Sequence, residues 1–176
     1  MRTRIRLGEH GRVSEMVIEA ATFRQVMGYY PTGVSAITAM GDDGKPVGLV
    51  VGTFSSVSLD PPLVGFLPDK TSSTWPKIEA AGRFCVNVLA SDQGEVCKQL
   101  AGKGPDKFAE VEYTVSDHDL PVVTGALATI ECELYSVTDA GDHFFVLGRV
   151  LRLEATRDAD PMLFFRGRYG GFAGLD

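Results

Sequence analysis

The segment from Gly48 to Pro62, GLVVGTFSSVSLDPP, joins an apolar run to a hydroxyl-rich turn and then stops at two prolines. Leu49, Val50 and Val51 predict a buried strand, and Gly52 removes the Cβ at the point where a neighbouring chain or a ligand could approach closely. Thr53, Ser55, Ser56 and Ser58 then place four hydroxyls within six residues, together with their backbone N–H groups. Such a set of small donors is what a phosphate or a polarised carbonyl requires. A serine-rich turn at the edge of a sheet calls for the same residues, so spacing alone leaves both readings open.

The surrounding pattern is one of many short strands and few helices. Val34 to Met40, the turn Gly41-Asp42-Asp43-Gly44, and Pro46 to Thr53 predict a hairpin, followed by strands over Ser55 to Leu59 and Leu63 to Leu67. Phe84 to Leu89 predicts a fully buried strand. From Ala126 to Leu134, Ile130, Cys132 and Leu134 alternate with Thr129, Glu131 and Glu133, which predicts a strand with one wet face. His143 to Leu153 is its expected hairpin partner. A helix is expected over residues 14–28, with Ser14 as N-cap and Val17, Ala20, Ala21 and Val26 on its apolar side. A second is expected from Ser73 to Ala81, begun by Ser72 or Ser73 and ended by Gly82, and a third from Asp92 to Leu100. This order predicts a mainly β chain built as a closed or partly closed barrel with a few short peripheral helices. No repeat or linker divides it, so residues 14–176 are expected to form one domain after an N-terminal extension over 1–13.

Composition narrows the function. Among 176 residues, 17 basic and 23 acidic side chains give a net charge of −6, which argues against a broad nucleic-acid or anionic-membrane surface. The opening MRTRIRL is not followed by a long apolar segment, so neither a signal peptide nor a membrane anchor is expected, and the chain is taken as cytoplasmic. Cys85, Cys97 and Cys132 are odd in number and widely spaced, which predicts core thiols rather than disulfides. His10, His118 and His143 show no ligand spacing, so no metal site is expected. There is no G-x-S-x-G elbow, no G-x-G-x-x-G turn after a strand and no Walker loop; Gly102-Lys103-Gly104 runs into Pro105 and reads as a loop.

GLVVGTFSSVSLDPPLV, with Tyr30-Pro31-Thr32-Gly33-Val34 before it and LPDKTSSTWPKIEAAGRFCVNVL after it, resembles the flavin reductase-like family of FMN-binding split barrels. The likeness continues through Gly141-Asp142-His143, Gly148-Arg149-Val150 and LFFRGRY at 163–169, and spans about residues 20 to 170. The resemblance implies a Greek-key split β-barrel that holds FMN or FAD and takes NADH or NADPH as hydride donor. In such a protein hydride passes from nicotinamide C4 to flavin N5, and the protein supplies placement more than reactive side chains. It also implies a homodimer that hands reduced flavin to a separate monooxygenase.

Carried over residue by residue, the resemblance puts Thr32 and Gly33 at the strand entry beside the flavin, and Gly52, Thr53, Phe54 and Ser55 along its ring. Ser56, Lys70, Ser72 and Ser73 would hold its phosphate. By their own chemistry, Trp75 after the phosphate loop is a candidate face for the flavin or its adenylate extension, Arg166, Arg168 and Tyr169 offer a cation and an aromatic face to the flavin or the nicotinamide nucleotide, and Phe108 is a candidate lid. His143 would stand on the nicotinamide side and position rather than relay protons. Two departures stand out: Val50 replaces a threonine that many relatives use toward the flavin, and Arg149 replaces a glutamate. Rival readings are a split barrel that binds flavin or haem without turnover, and a pyridoxamine-phosphate-oxidase-type enzyme.

Overall fold

The computed structural model describes residues 18–104 and 106–175. The extension over 1–13 and the expected cap Ser14 lie outside the described residues. Among the described residues, twelve strands and three helices follow one another: α1 (Ala20–Met27), β1 (Thr32–Gly33), β2 (Ser35–Met40), β3 (Pro46–Val51), β4 (Ser55–Leu59), β5 (Pro62–Phe66), α2 (Trp75–Ala81), β6 (Arg83–Val88), α3 (Gly94–Ala101), β7 (Tyr113–Val115), β8 (Pro121–Val123), β9 (Ala128–Ala140), β10 (His143–Ala155), β11 (Leu163–Phe165) and β12 (Arg168–Gly170).

Seven strands form one antiparallel sheet in the order β3-β2-β6-β9-β10-β5-β4. Inward residues of this sheet meet in one cluster: Ile37 and Ala39, Leu49 and Val51, Val64 and Phe66, Phe84 and Val86, Ile130 and Cys132, and Val146. Strands from both ends of the order share that core, so the sheet is curled into a split barrel, with the split between β3 and β4. Helix α2 plugs the core with Trp75 and Ile78. Ser72 Oγ accepts from the amides of Thr74 and Trp75 at 3.3 and 3.2 Å, and Gly82 ends the helix with φ +68°. The C-terminal end is that expected from the sequence, whereas the helix starts at Trp75, two residues after the expected Ser73. Phe84 packs so closely on β10 that a Cβ at Gly148 would stand 2.4 Å from its ring.

The period-two alternation correctly separates the two faces of β9, but the outer face is wet only from Glu133 onward. Glu131 is only 3% exposed and Thr129 is buried too. The reason is a two-stranded flap, β7–β8, that the sequence pattern did not reveal. Its backbone and loop satisfy the polar groups they cover: Val123 N–H donates to Asn87 Oδ1 at 2.8 Å, and Thr38 Oγ1 donates to the carbonyl of Pro121. Ser116 Oγ and His118 Nδ1 donate to the Glu131 carboxylate at 2.9 and 2.6 Å. Burial of a carboxylate is tolerated when every lone pair facing the protein is engaged.

A second apolar cluster lies on the outer face of β2 and β3, where Val34, Ala36, Cys97, Leu100, Phe108 and Met162 pack together. Phe108 stands edge-on to Tyr113 and contacts the space above Gly48, so it is a core residue and not a lid. The three cysteines are free and buried, and burial pushes the Cys85 and Cys132 thiols up to about 12. The described part of the first helix is shorter than its sequence pattern and buries none of its residues. A third sheet, β1-β11-β12, pairs Thr32 with Phe164 and brings the C-terminal segment back beside the start of the barrel.

Candidate functional site

Strand β3 is an edge of the main sheet, and its unpaired side forms one wall of a groove of about 300 Å³. Leu49 to Thr53 line that wall; Leu67, Pro68, Asp69, Ser72 and His143 line the other. A smaller groove of about 180 Å³ continues past Gly52 and is lined by Val34, Val50, Val51, Ala101, Phe164 and Tyr169. Gly52 is therefore the junction of the two, and it sits there for a steric reason. A Cβ at this position would stand 2.7 Å from Thr32 Oγ1, too close to be tolerated without displacing the Thr32 side chain.

Long-range contacts assemble the second wall. Thr53 Oγ1 accepts from Leu67 N–H at 2.9 Å and so ties the turn after β3 to the end of β5. Asp69 and His143 form an isolated antiparallel bridge, flanked by bonds from Lys70 N–H to Asp142 O and from Phe144 N–H to Pro68 O, both at 3.0 Å. The Gly141-Asp142-His143 turn is thereby seated on the Asp69-Lys70-Thr71-Ser72 loop. His143 Nδ1 donates to Asp142 at 2.8 Å, which leaves Nε2 as the ring nitrogen for a ligand. The Thr71 hydroxyl and amide, at 2.7 and 2.6 Å, hold the Asp69 carboxyl below its ordinary value, and His143 does the same for Asp142.

The predicted residues divide accordingly. Gly52, Thr53, Ser72 and His143 converge on the larger groove, while Thr32 and Tyr169 border the smaller. Ser55, Ser56 and Ser73 are exposed, and Gly33 pairs with Leu163. Phe54 packs half-buried against the barrel core. Lys70 is ion-paired with Asp139 and lies over the Phe144 ring at 5.2 Å. Arg168 and Tyr169 face a separate cavity of about 680 Å³, which Pro31, Phe165 and Arg166 also line.

Trp75 needs correction: it is 1% exposed, edge-on to Phe66 with centroids 5.8 Å apart, and presents no face to a ligand. Its helix sits inside the barrel mouth, so the side chain following the phosphate-type loop turns into the core. Arg149, whose consequence the sequence did not give, pairs at 2.6 Å with Glu133, its cross-strand partner on β9. Sequence reasoning missed Asp69, which carries the bridge to His143; its place in the PDK turn was the available signal. It also missed Lys107, discussed below.

The fold is thus a split barrel with an open groove along a bare strand edge, bordered by hydroxyls, a histidine and a glycine. The chain belongs to the flavin reductase like domain family, whose model matches residues 27–173. A flavin reductase of Pseudomonas putida is 53% identical over 158 residues, covering 90% of this chain and 93% of the relative. The crystal structure of nitrilotriacetate monooxygenase component B from Mycobacterium thermoresistibile superposes with a TM-score of 0.84 at 45% identity, covering 87% of this chain and 86% of that one. The NADH:FAD oxidoreductase SgcE6 of Streptomyces globisporus C-1027, solved with NAD and FAD fragments, gives a TM-score of 0.82 at 32% identity, covering 88% and 93%.

Proposed function

We propose that this chain is an NAD(P)H:flavin oxidoreductase that reduces FMN or FAD and releases the product to a separate flavin-dependent monooxygenase. The carrying observation is the bare backbone junction at Gly52, with Thr53 on one side and His143 across the groove. The fit to a flavin is chemical and steric: apolar Leu49, Val50, Val51 and Pro68 suit a flat ring, and the strand edge and hydroxyls suit its polar rim. Bound flavin supplies the hydride-accepting chemistry.

The residues of the chain bind and orient. Gly52 and Thr53 offer backbone groups to the ring, and Thr32, Gly33, Phe54 and Ser55 border that surface. Ser56, Lys70, Ser72 and Ser73 bind the phosphate, which requires the Lys70 ammonium to exchange its partner Asp139 for the ligand. His143 Nε2 orients the nicotinamide, and Arg168 and Tyr169 engage the nucleotide. The reductases of two-component monooxygenases among the relatives, such as the reductase subunit HsaB of Rhodococcus jostii, support transfer of flavin to a partner.

A homodimer is part of this proposal, supported by large apolar side chains left exposed in one chain, among them Phe23, Val26 and Leu59. Free buried thiols suit a reducing cytoplasm. Among the described residues no helix is long and apolar enough to cross a membrane.

The test is loss of absorbance at 340 nm under air with NADH or NADPH and with FMN or FAD added in turn. Rapid flavin-dependent oxidation is the expected result and names both cofactors. Flavin binding without oxidation would replace the proposal by a non-reducing flavoprotein.

A further inference from the structure

Lys107 lies in neither groove's wall, yet its side chain bonds residues that adjoin the walls of both. Its ammonium donates to the carbonyl of Gly48, to Thr74 Oγ1 and to the carbonyl of Leu100, each at 3.1 Å. An ammonium has three N–H donors, so all three are used, and by three elements that also pack on one another, Leu100 lying directly against Gly48.

The positions of these acceptors matter. Gly48 directly precedes Leu49 to Thr53, the strand-edge wall of the larger groove, and Thr74 follows Ser72 at the end of the opposite wall. Leu100 belongs to the last turn of α3, whose next residue, Ala101, lines the smaller groove. On an edge strand the backbone groups of alternate residues point to the same side. Because the Gly48 carbonyl points away from β2 toward Lys107, the backbone groups of Val50 point the same way, toward the groove. Lys107 thus occupies the outward position two residues before Val50, which lines the groove. Thr74, the residue before α2, makes no cap bond with its own helix and offers its hydroxyl to Lys107 instead.

We propose that Lys107 is a positioning residue that sets the width of the flavin groove by holding the edge of β3, the start of α2 and the end of α3 at fixed separation. The proposal rests on the reading of this groove as a flavin site. An ammonium suits the task because its three donors radiate from one atom; a planar guanidinium cannot address three acceptors around a point, so Lys107→Arg is not a substitute. Burial makes the charged form harder to keep, and Lys107 is shifted down accordingly, but the three acceptors retain it.

Flavin affinity of Lys107→Met and Thr74→Val is measured by fluorescence titration with FMN and FAD, beside steady-state kinetics and thermal unfolding. Lys107→Met is expected to raise the Kd and the KM for flavin about tenfold, with kcat at saturating flavin and KM for NADH changed less than about twofold. Lys107→Arg fails to rescue. Thr74→Val removes one acceptor of three, folds without difficulty and shows the same split at about threefold, so it carries the test if Lys107→Met does not fold. Unchanged flavin Kd in Thr74→Val and in folded Lys107→Met, with only a lower Tm, would overturn the proposal alone. Failure of the wild-type protein to bind either flavin would overturn the flavin reading and this proposal with it.

Discussion

Asp69 and His143 face one another across a single antiparallel bridge, and that contact joins the Gly141–His143 turn to the loop after β5. The histidine is thereby held over the groove by backbone, with its ring fixed through Nδ1 to Asp142. His143→Ala should therefore leave the groove intact while removing the group proposed to orient the nicotinamide. Turnover with NADH is expected to fall about tenfold with flavin Kd within about twofold. Equal turnover in the variant would remove His143 from the site.

The Asp69 turn carries a pH dependence with a defined sign. Hydrogen bonds from Thr71, chiefly its hydroxyl, lower the Asp69 carboxyl from the ordinary 3.8, with His143 adding a smaller effect. The folded carboxyl binds its proton less readily than the unfolded one, so its contribution is complete above 3.8 and is lost as pH falls through the lower folded value. Thr71→Val is expected to move the Asp69 carboxyl carbon titration in NMR back up toward 3.8. An unshifted titration would mean that the hydroxyl bond is not made in solution.

Gly52→Ala should weaken flavin binding about tenfold, because the new Cβ would stand 2.7 Å from Thr32 Oγ1 and displace the Thr32 side chain. Adding Thr32→Ala removes that oxygen and should recover most of the affinity. The double-mutant cycle, read by flavin titration, then gives a coupling of about 1 kcal/mol. Additive losses would place the effect in the backbone of Gly52 itself.

Gly148→Ala acts on the core rather than the site. Its Cβ would meet Phe84 at 2.4 Å and Cys132 at 2.9 Å, both fully buried. The chain must move a packed aromatic to admit it, at a cost of about 2 kcal/mol in urea unfolding. A change below about 0.5 kcal/mol would show that β10 can shift outward at this point.

Much of this molecule is written in short-range pattern. Turn chemistry at Gly41–Gly44, the buried run of β6 and the two faces of β9 follow from the order of residues, because each depends on neighbours a few positions away. The C-terminal end of α2 follows in the same way, from Gly82. The motif order also placed Gly52, Thr53, Ser72 and His143 in one family of sites, and they do meet in one groove. Tertiary structure decided what covers each face and what reaches across. Glu131 looked solvated by its alternation, but the β7–β8 flap buries it through Ser116 and His118. Trp75 looked available to a ligand, but its helix turns it into the barrel. Lys107 carried no signal in the sequence, because its partners Gly48, Thr74 and Leu100 converge on it only in the folded chain. Periodicity encodes which side of an element a residue faces; only the packed chain determines whether that side meets water, core or ligand, since the partners come from distant sequence.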